Sequence, residues 1–277
     1  MSQAQKTDTA RTALITGASA GIGAALARAF AAHGFDLVLT ARRQDRLFDL
    51  AREITKQHKV HVLVETADLI NPDAPQEIFN ALKTRGIEID VLINNAGYSG
   101  ARVFENSLLQ EQRDFIEVMM TSVVGLTHLF VPGMVARGYG RVLNVASLAA
   151  FVPGGPGFTL YSASKSFLVR FTESLDHELK HKNVRVQALC PGFTYSEFHD
   201  VSGTRKAVSR MPAAMWMSAE EVARAGYRQL MSGETIHIPG RVNRFIAFMA
   251  RIMPPKLARR LIGSGSRRFR DVPHHAQ

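Results

Sequence analysis

"TALIT" at Thr12–Thr16 runs directly into "TGASAGIG" at Thr16–Gly23, and this junction decides the fold. A short apolar run of strand character ends in glycine and serine. Helical spacing then begins at Ile22, Leu26, Ala29 and Phe30. A glycine cluster is informative in this context, between a strand and the helix that it opens. Glycines let the chain turn tightly and let a pyrophosphate approach the backbone. The helix N-terminus adds unpaired N–H groups and a favourable dipole. Gly17, Ser19, Gly21, Ile22 and Gly23 are therefore candidate cofactor contacts. The spacing departs from G-x-G-x-x-G, and a glycine turn needed only for packing also fits this stretch alone.

Further apolar runs follow at 35–41, 60–65, 89–94, 140–146 and 184–190, with a short last one at 235–240. Longer stretches of helical spacing separate them. Repeated strand–helix–strand units imply an α/β fold, a parallel sheet covered on both faces. No repeat period or low-complexity tract interrupts the pattern. One domain is expected over residues 1–240, followed by a basic amphipathic extension over 241–277.

The 277 residues are 46% apolar, enough for a large core, so disorder is excluded as the default. A single cysteine, Cys190, precludes an internal disulfide and fits a reducing compartment. The N-terminal "MSQAQKTDTART" lacks an apolar signal region. No run of 18 apolar residues occurs, so no transmembrane helix is expected. A cytoplasmic location is expected, and no metal site. The net charge is +10, but Arg241–Arg270 holds nine Lys or Arg and no Asp or Glu. The remaining body carries about +1, so its charge gives no argument for nucleic-acid binding, and none is expected.

The end of the second strand carries the cofactor preference. An acidic residue there would hold the ribose 2′-hydroxyl of NAD. The sequence instead reads Ala41, Arg42, Arg43, with no carboxylate before Asp45. Two guanidiniums suit a 2′-phosphate through charge-assisted hydrogen bonds. A basic helix start is the plainer reading, but a helix N-terminus disfavours cations. NADP(H) is therefore expected over NAD(H).

"TGASAGIG", "NNAG" (94–97), Ser147, "YSASK" (161–165) and "PG" (191–192) stand in one order. Together they resemble the short-chain dehydrogenase/reductase family over roughly residues 12 to 198, most closely its bacterial and steroid-dehydrogenase-like branch. The resemblance implies a doubly wound, seven-stranded Rossmann sheet of order 3-2-1-4-5-6-7. It places Asp68 of "ADL" at the adenine. It sets "NNAG" beside the cofactor, with Asn94 and Gly97 at the matching positions and Asn95 and Ala96 between them. Pro191 and Gly192 fall beside the nicotinamide, and Lys165 on the cofactor ribose. It also implies a homodimer or homotetramer.

Tyr161 and Lys165 lie at i and i+4 on an expected helix, about 6 Å apart. A nearby ammonium favours phenolate, so a lowered tyrosine pKa is expected. A phenol so tuned can protonate a carbonyl or deprotonate an alcohol. Ser147 can stabilise charge on the same oxygen. Hydride then passes between nicotinamide and substrate carbon. Each residue alone reads as packing, solvated charge or turn; together behind a glycine motif they read as catalytic. Fourteen positions separate Ser147 from Tyr161, where twelve or thirteen is commoner in the family. The glycine-rich "FVPGGPGF" can absorb the difference.

One family feature is missing. Thirteen residues before Pro132 the family usually has asparagine, and this chain has Met119. A thioether cannot order the water chain that the family uses to connect the lysine with solvent. Either Thr121, Ser122 or a shifted water substitutes and turnover survives, or the chain is a slow enzyme or an NADPH-binding scaffold that docks through its basic tail. On the substrate side, Phe193, Tyr195, Phe198, Met211, Met215, Trp216 and Met217 suit an adaptable apolar pocket for a hydrophobic ketone, aldehyde or secondary alcohol, as do Phe151 and Phe158. A lid packed on its own body fits equally. His199 reads as structural or solvated. In the extension, Val242, Phe245, Ile246, Phe248, Met249, Ile252 and Met253 alternate with Arg241, Arg244 and Arg251, before Pro254 and Pro255. That is an amphipathic basic helix, with a second short one after it. It fits an anionic membrane face, the protein body or a second subunit.

Overall fold

Seven strands form one parallel sheet in the computed structural model, which describes residues 10–99, 104–155, 159–197, 211–254 and 256. They are β1 (Thr12–Thr16), β2 (Asp36–Thr40), β3 (Val62–Val64), β4 (Val91–Asn94), β5 (Gly140–Val145), β6 (Val184–Leu189) and β9 (Ile236–His237). The order is β3-β2-β1-β4-β5-β6-β9. The seventh strand of the expected sheet is the ninth in the chain, because β7 (Phe193–Tyr195) and β8 (Trp216–Ser218) pair separately. It is also only two residues long, shorter than the apolar run at 235–240 implies.

Both faces of the sheet are covered, so its strands are mostly apolar, as in Ala13–Ile15 and Leu37–Leu39, rather than alternating with polar residues. Successive side chains still point to opposite faces. Ala13 and Ile15 pack with helices α1 (Gly21–Ala31), α2 (Gln44–His58) and α7 (Ala219–Ser232). Leu14 packs on the other side, with α3 (Ala74–Thr84), α5 (Ser122–Ala136) and α6 (Thr159–Leu179). In α2 the buried Leu47, Leu50, Ala51 and Ile54 form one stripe at helical spacing. Phe30 is fully buried and meets Phe35 and Tyr227 edge-on, at 5.2 and 4.9 Å between ring centres. Truncating it to alanine would cost about 3–5 kcal/mol.

Helix α4 (Leu109–Ile116) continues into α5 through a π-helical turn, Glu117–Thr121. The stretch Leu109–Ala136 is long and apolar enough to cross a membrane by length and composition. Its Phe115, Val118, Met119, Leu126, Phe130 and Met134 are nevertheless buried in the protein. The extension begins with α8 (Arg241–Ile252), whose Asn243 and Ala247 are buried. The second short helix lies outside the described residues.

The winding direction changes between β1 and β4, which are neighbours although not consecutive in the chain. Open α/β sheets bind ligands in such a crevice, at the carboxyl ends of the strands. Both Gly17 and Asn95 emerge there.

Candidate active site

Thr16, the last residue of β1, ties the two strand ends together. Its hydroxyl donates to Ile93 O at 3.2 Å and accepts from the Asn95 and Ala96 N–H groups at 3.0 and 3.1 Å. The Asn95 amide returns the contact, donating to Thr16 O at 2.9 Å and Gly17 O at 3.2 Å. Little room is left for side chains. A Cβ on Gly17 would lie 2.8 Å from Ala96 Cα, and one on Gly23 would lie 2.3 Å from Gly17 O. Gly17 also has φ +66°, a conformation that suits glycine. Chain-to-chain approach therefore requires these two glycines, quite apart from any ligand. The first turn of α1 has neither a side-chain cap nor an acidic residue, so its N–H groups are available to an anion.

A cavity of about 830 Å³ runs along this crevice. Gly17, Ser19, Gly21, Ile22, Arg42, Arg43, Asp68, Asn95, Ala96 and Gly97 line it, and so do Ser147, Tyr161, Lys165, Pro191 and Gly192. Gly23 does not; it lies behind the loop. Asn94 faces the core, where its amide donates to Asn144 Oδ1 at 2.9 Å and Thr127 Oγ1 at 3.2 Å. Asp68 turns one oxygen to the Ile70 N–H at 3.1 Å. The two arginines differ. Arg43 donates to Ser19 Oγ at 3.1 and 3.3 Å and to Glu197 Oε2 at 2.9 Å. Arg46 holds the other Glu197 oxygen at 2.5 Å. Hydrogen bonds from Arg46 and Arg43 keep the Glu197 carboxyl below its usual range. Arg42 lines the cavity with no ion pair among the described residues.

At the other end of the cavity, Ser147 leaves β5, and Leu148 N donates to Pro191 O at 2.8 Å. This joins the ends of β5 and β6. Helix α6 is pinned alongside by Ser166, whose hydroxyl donates to Ala150 O at 3.0 Å. The register places Tyr161 and Lys165 one turn apart, with Lys165 Nζ 5.7 Å from the centre of the Tyr161 ring. Ser147 hydrogen-bonds Tyr161. The Lys165 ammonium is buried and donates to Val145 O at 2.8 Å. Burial lowers its pKa to about 8, and burial pushes the neighbouring Cys190 thiol up to about 12.

The expected fall in the Tyr161 pKa does not occur. Burial raises it, and the opposing hydrogen bond from Ser147 does not offset that. Desolvation therefore dominates at Tyr161.

Met119 sits on the π-helical turn, 1% exposed. Its Sδ would lie 2.8 Å from a Cβ on Gly97, so the thioether packs against the end of "NNAG". The two side chains expected to substitute are occupied elsewhere. Ser122 donates to Val118 O at 2.9 Å, and Thr121, exposed to solvent, bonds Glu117.

On the substrate side, Phe193, Met211 and Met215 line the cavity. Tyr195 instead stacks on Trp216 at 4.6 Å, and Met217 packs on the core. Phe151 also packs on the core beside α6, away from the cavity, because the turn after Ser147 directs it there. Phe158, Phe198 and His199 lie outside the described residues. Sequence reasoning missed Thr194, Ser196 and Glu197, and overlooked that Ile246 of α8 reaches the cavity. The position of 193–197 just after "PG" is the one signal that pointed to the first three.

The family profile for short chain dehydrogenase matches residues 11–206. The chain belongs to this family. This short-chain dehydrogenase is 32% identical to the human very-long-chain 3-oxoacyl-CoA reductase over 231 residues, 81% of this chain and 72% of that protein. A short-chain dehydrogenase from Sphingobium yanoikuyae, solved in complex with NADPH, matches with a TM-score of 0.78 at 30% identity, covering 96% of this chain and 98% of that one. The bulky-bulky ketone specific alcohol dehydrogenase from Comamonas testosteroni matches with a TM-score of 0.73 at 28% identity, covering 96% and 97%.

Proposed function

We propose that this short-chain dehydrogenase reduces a hydrophobic ketone or aldehyde with NADPH, with Tyr161 as the proton donor. The observation that carries the reading is the meeting of Ser147, Tyr161 and Lys165 in one cavity with an uncapped helix N-terminus and Arg42. The residues fit a dinucleotide phosphate. Gly17, Ser19, Gly21 and Ile22 would hold the pyrophosphate, Arg42 and Arg43 the 2′-phosphate, and Asp68 the adenine side. Asn95, Ala96 and Gly97 would flank the sugar and nicotinamide, with Lys165, Pro191 and Gly192 opposite. The Sphingobium neighbour, solved with NADPH, supports this cofactor.

The cofactor would supply the hydride to the substrate carbon. Tyr161 would give its proton to the carbonyl oxygen, and the Ser147 hydroxyl would donate a second hydrogen bond to it. The raised Tyr161 pKa keeps the phenol protonated at neutral pH. In that form it is the proton donor that reduction needs; oxidation of an alcohol needs the phenolate and should rise with pH. The lining by Phe193, Met211 and Met215 supports an apolar substrate. The Comamonas enzyme's specificity for bulky ketones agrees with that class. A homodimer or homotetramer belongs to the same reading; Ile116 and Val124 are exposed on α4 and α5.

The test is a panel of ketones and aldehydes followed by NADPH consumption, with Tyr161→Phe beside the wild type. Reduction should be lost in the variant while NADPH still binds. Wild-type protein that binds NADPH but reduces nothing would favour the scaffold reading, which Met119 keeps in view.

A further inference from the structure

Helix α8 has two unlike sides. Inward, Asn243 and Ala247 are buried, and Ile246 lines the cavity. The Asn243 amide donates to Pro239 O at 2.8 Å, and its Oδ1 would lie 2.4 Å from a Cβ on Gly192. The helix is thus seated on the Pro191–Gly192 turn of the active site. Outward, Val242 is 39% exposed, Phe245 63%, Phe248 58% and Ile252 57%. Their spacing of three, three and four residues places them in one row along the helix. The chain leaves two phenylalanines and two aliphatic side chains facing water on a helix of twelve residues. Scattered apolar residues need no explanation, but a continuous row does.

The charge around this row has one sign. Arg241, Arg244, Arg251 and Lys256 carry it, and no Asp or Glu occurs from 241 to 270. Among the described residues none of these four cations forms an ion pair. We propose that α8 is a docking surface for an anionic lipid bilayer, lying in the interface with Phe245, Phe248 and Ile252 inserted and the cations at the headgroups. The combination of an apolar row, flanking cations and no acids is that of an interfacial helix. A second copy of the chain fits less well. A two-fold contact through this row would bring the same arginines toward one another, and like charges oppose that.

Docking would have a consequence for substrate entry, which rests on the function proposed above. The side of α8 opposite the lipid lines the cavity, so the active site would stand about one helix diameter, roughly 10 Å, from the bilayer. A carbonyl compound dissolved in the membrane could be taken up without crossing water. The substrate class is then a membrane-partitioned ketone or aldehyde.

The test uses the full chain and sedimentation with phosphatidylcholine vesicles, with and without phosphatidylglycerol. The wild type should sediment with the anionic vesicles and stay in solution with the neutral ones, and salt should weaken the binding. The double variant Phe245→Ser, Phe248→Ser should bind anionic vesicles about 30-fold more weakly or worse. It should reduce a water-soluble ketone at the wild-type rate, but lose efficiency with a ketone supplied in vesicles. Three results would overturn the proposal. One is wild-type protein that ignores anionic vesicles at low salt. Another is a double variant that binds as tightly as the wild type. The third is a variant with a smaller oligomer by light scattering, which would assign the row to a second copy. Vesicle binding without reduction of any ketone would leave docking standing and reject the enzymatic reading instead.

Discussion

At the nucleotide end of the cavity, Thr16 and Asn95 are tied together by hydrogen bonds, and Gly17 and Gly23 leave no room for another carbon. At the other end, a buried ammonium rests on one backbone carbonyl, and a thioether packs against Gly97. The first arrangement is over-determined, with hydrogen bonds at 2.9 to 3.2 Å crossing between β1 and β4 in both directions. The second depends on what a few groups do chemically. Damage at the first end should therefore appear in cofactor affinity and stability. Damage at the second should appear in turnover, with the fold intact.

The sharpest test of that contrast is Tyr161→Phe. It removes one hydroxyl and leaves the ring to pack. Reduction should fall about 1,000-fold, the scale of a lost general acid, while calorimetry finds NADPH affinity within a few-fold of wild type. The opposite pattern belongs to Gly23→Ala. Its new carbon would meet Gly17 O at 2.3 Å and the Asn95 side-chain nitrogen at 2.4 Å, and that amide is itself held by Thr16 O and Gly17 O. NADPH affinity should fall about 100-fold as the loop shifts, with a lower melting temperature. If calorimetry found affinity unchanged, the loop would be less rigid than these contacts imply.

The pH profile separates the two ends without mutation. Lys165 has its pKa lowered to about 8. Its ammonium is therefore present below that pH and lost above it. The phenol of Tyr161, raised by burial, stays protonated through the same range. The value of kcat/KM for NADPH in the reduction direction reports the free enzyme, and it should decline above pH 8. Lys165→Arg should move that decline to higher pH.

What the sequence revealed divides along the same line. Strand positions, the glycine loop and the order of the motifs are local, and period and spacing display them directly. The Tyr161 pKa is not local. Spacing gives its distance from Lys165, but its sign depends on burial, which only the folded cavity sets. Phe151 illustrates the same limit, since a residue four positions after Ser147 can turn toward the core as readily as toward the cavity. The π-helical turn at Glu117–Thr121 has no sequence signal of its own, yet it carries Met119. The ion pair between Arg43 and Glu197 joins residues 154 positions apart, beyond any reading by periodicity.

A milder perturbation is Met119→Asn. It would place an amide beside Gly97, where the thioether now packs. Turnover at neutral pH should be kept or rise about threefold, because a polar group there can order water toward Lys165. Stability should fall by about 1–3 kcal/mol, since the amide enters an apolar site. Denaturant melts and steady-state rates would show both. A fall in turnover together with unchanged stability would mean that the thioether itself positions the site.

The smallest expected effect lies where the two ends meet, at Glu197. This carboxylate comes from the segment after β7 on the substrate side, but it holds Arg43 and Arg46 at the nucleotide side. The groups are exposed by 42 to 45%, so the ion pairs contribute little to stability. They matter because Glu197 and a 2′-phosphate would both claim Arg43. With the carboxylate present, part of the Arg43 charge is already neutralised. Glu197→Gln keeps the shape and removes the competing charge. NADPH should then bind about threefold more tightly, and the gain should shrink as salt screens it. NADH lacks the 2′-phosphate, so its affinity should not change. Were NADPH to bind more weakly in the variant, Glu197 would be holding Arg43 in position rather than competing for it, and the substrate side would be supporting the nucleotide end instead of opposing it.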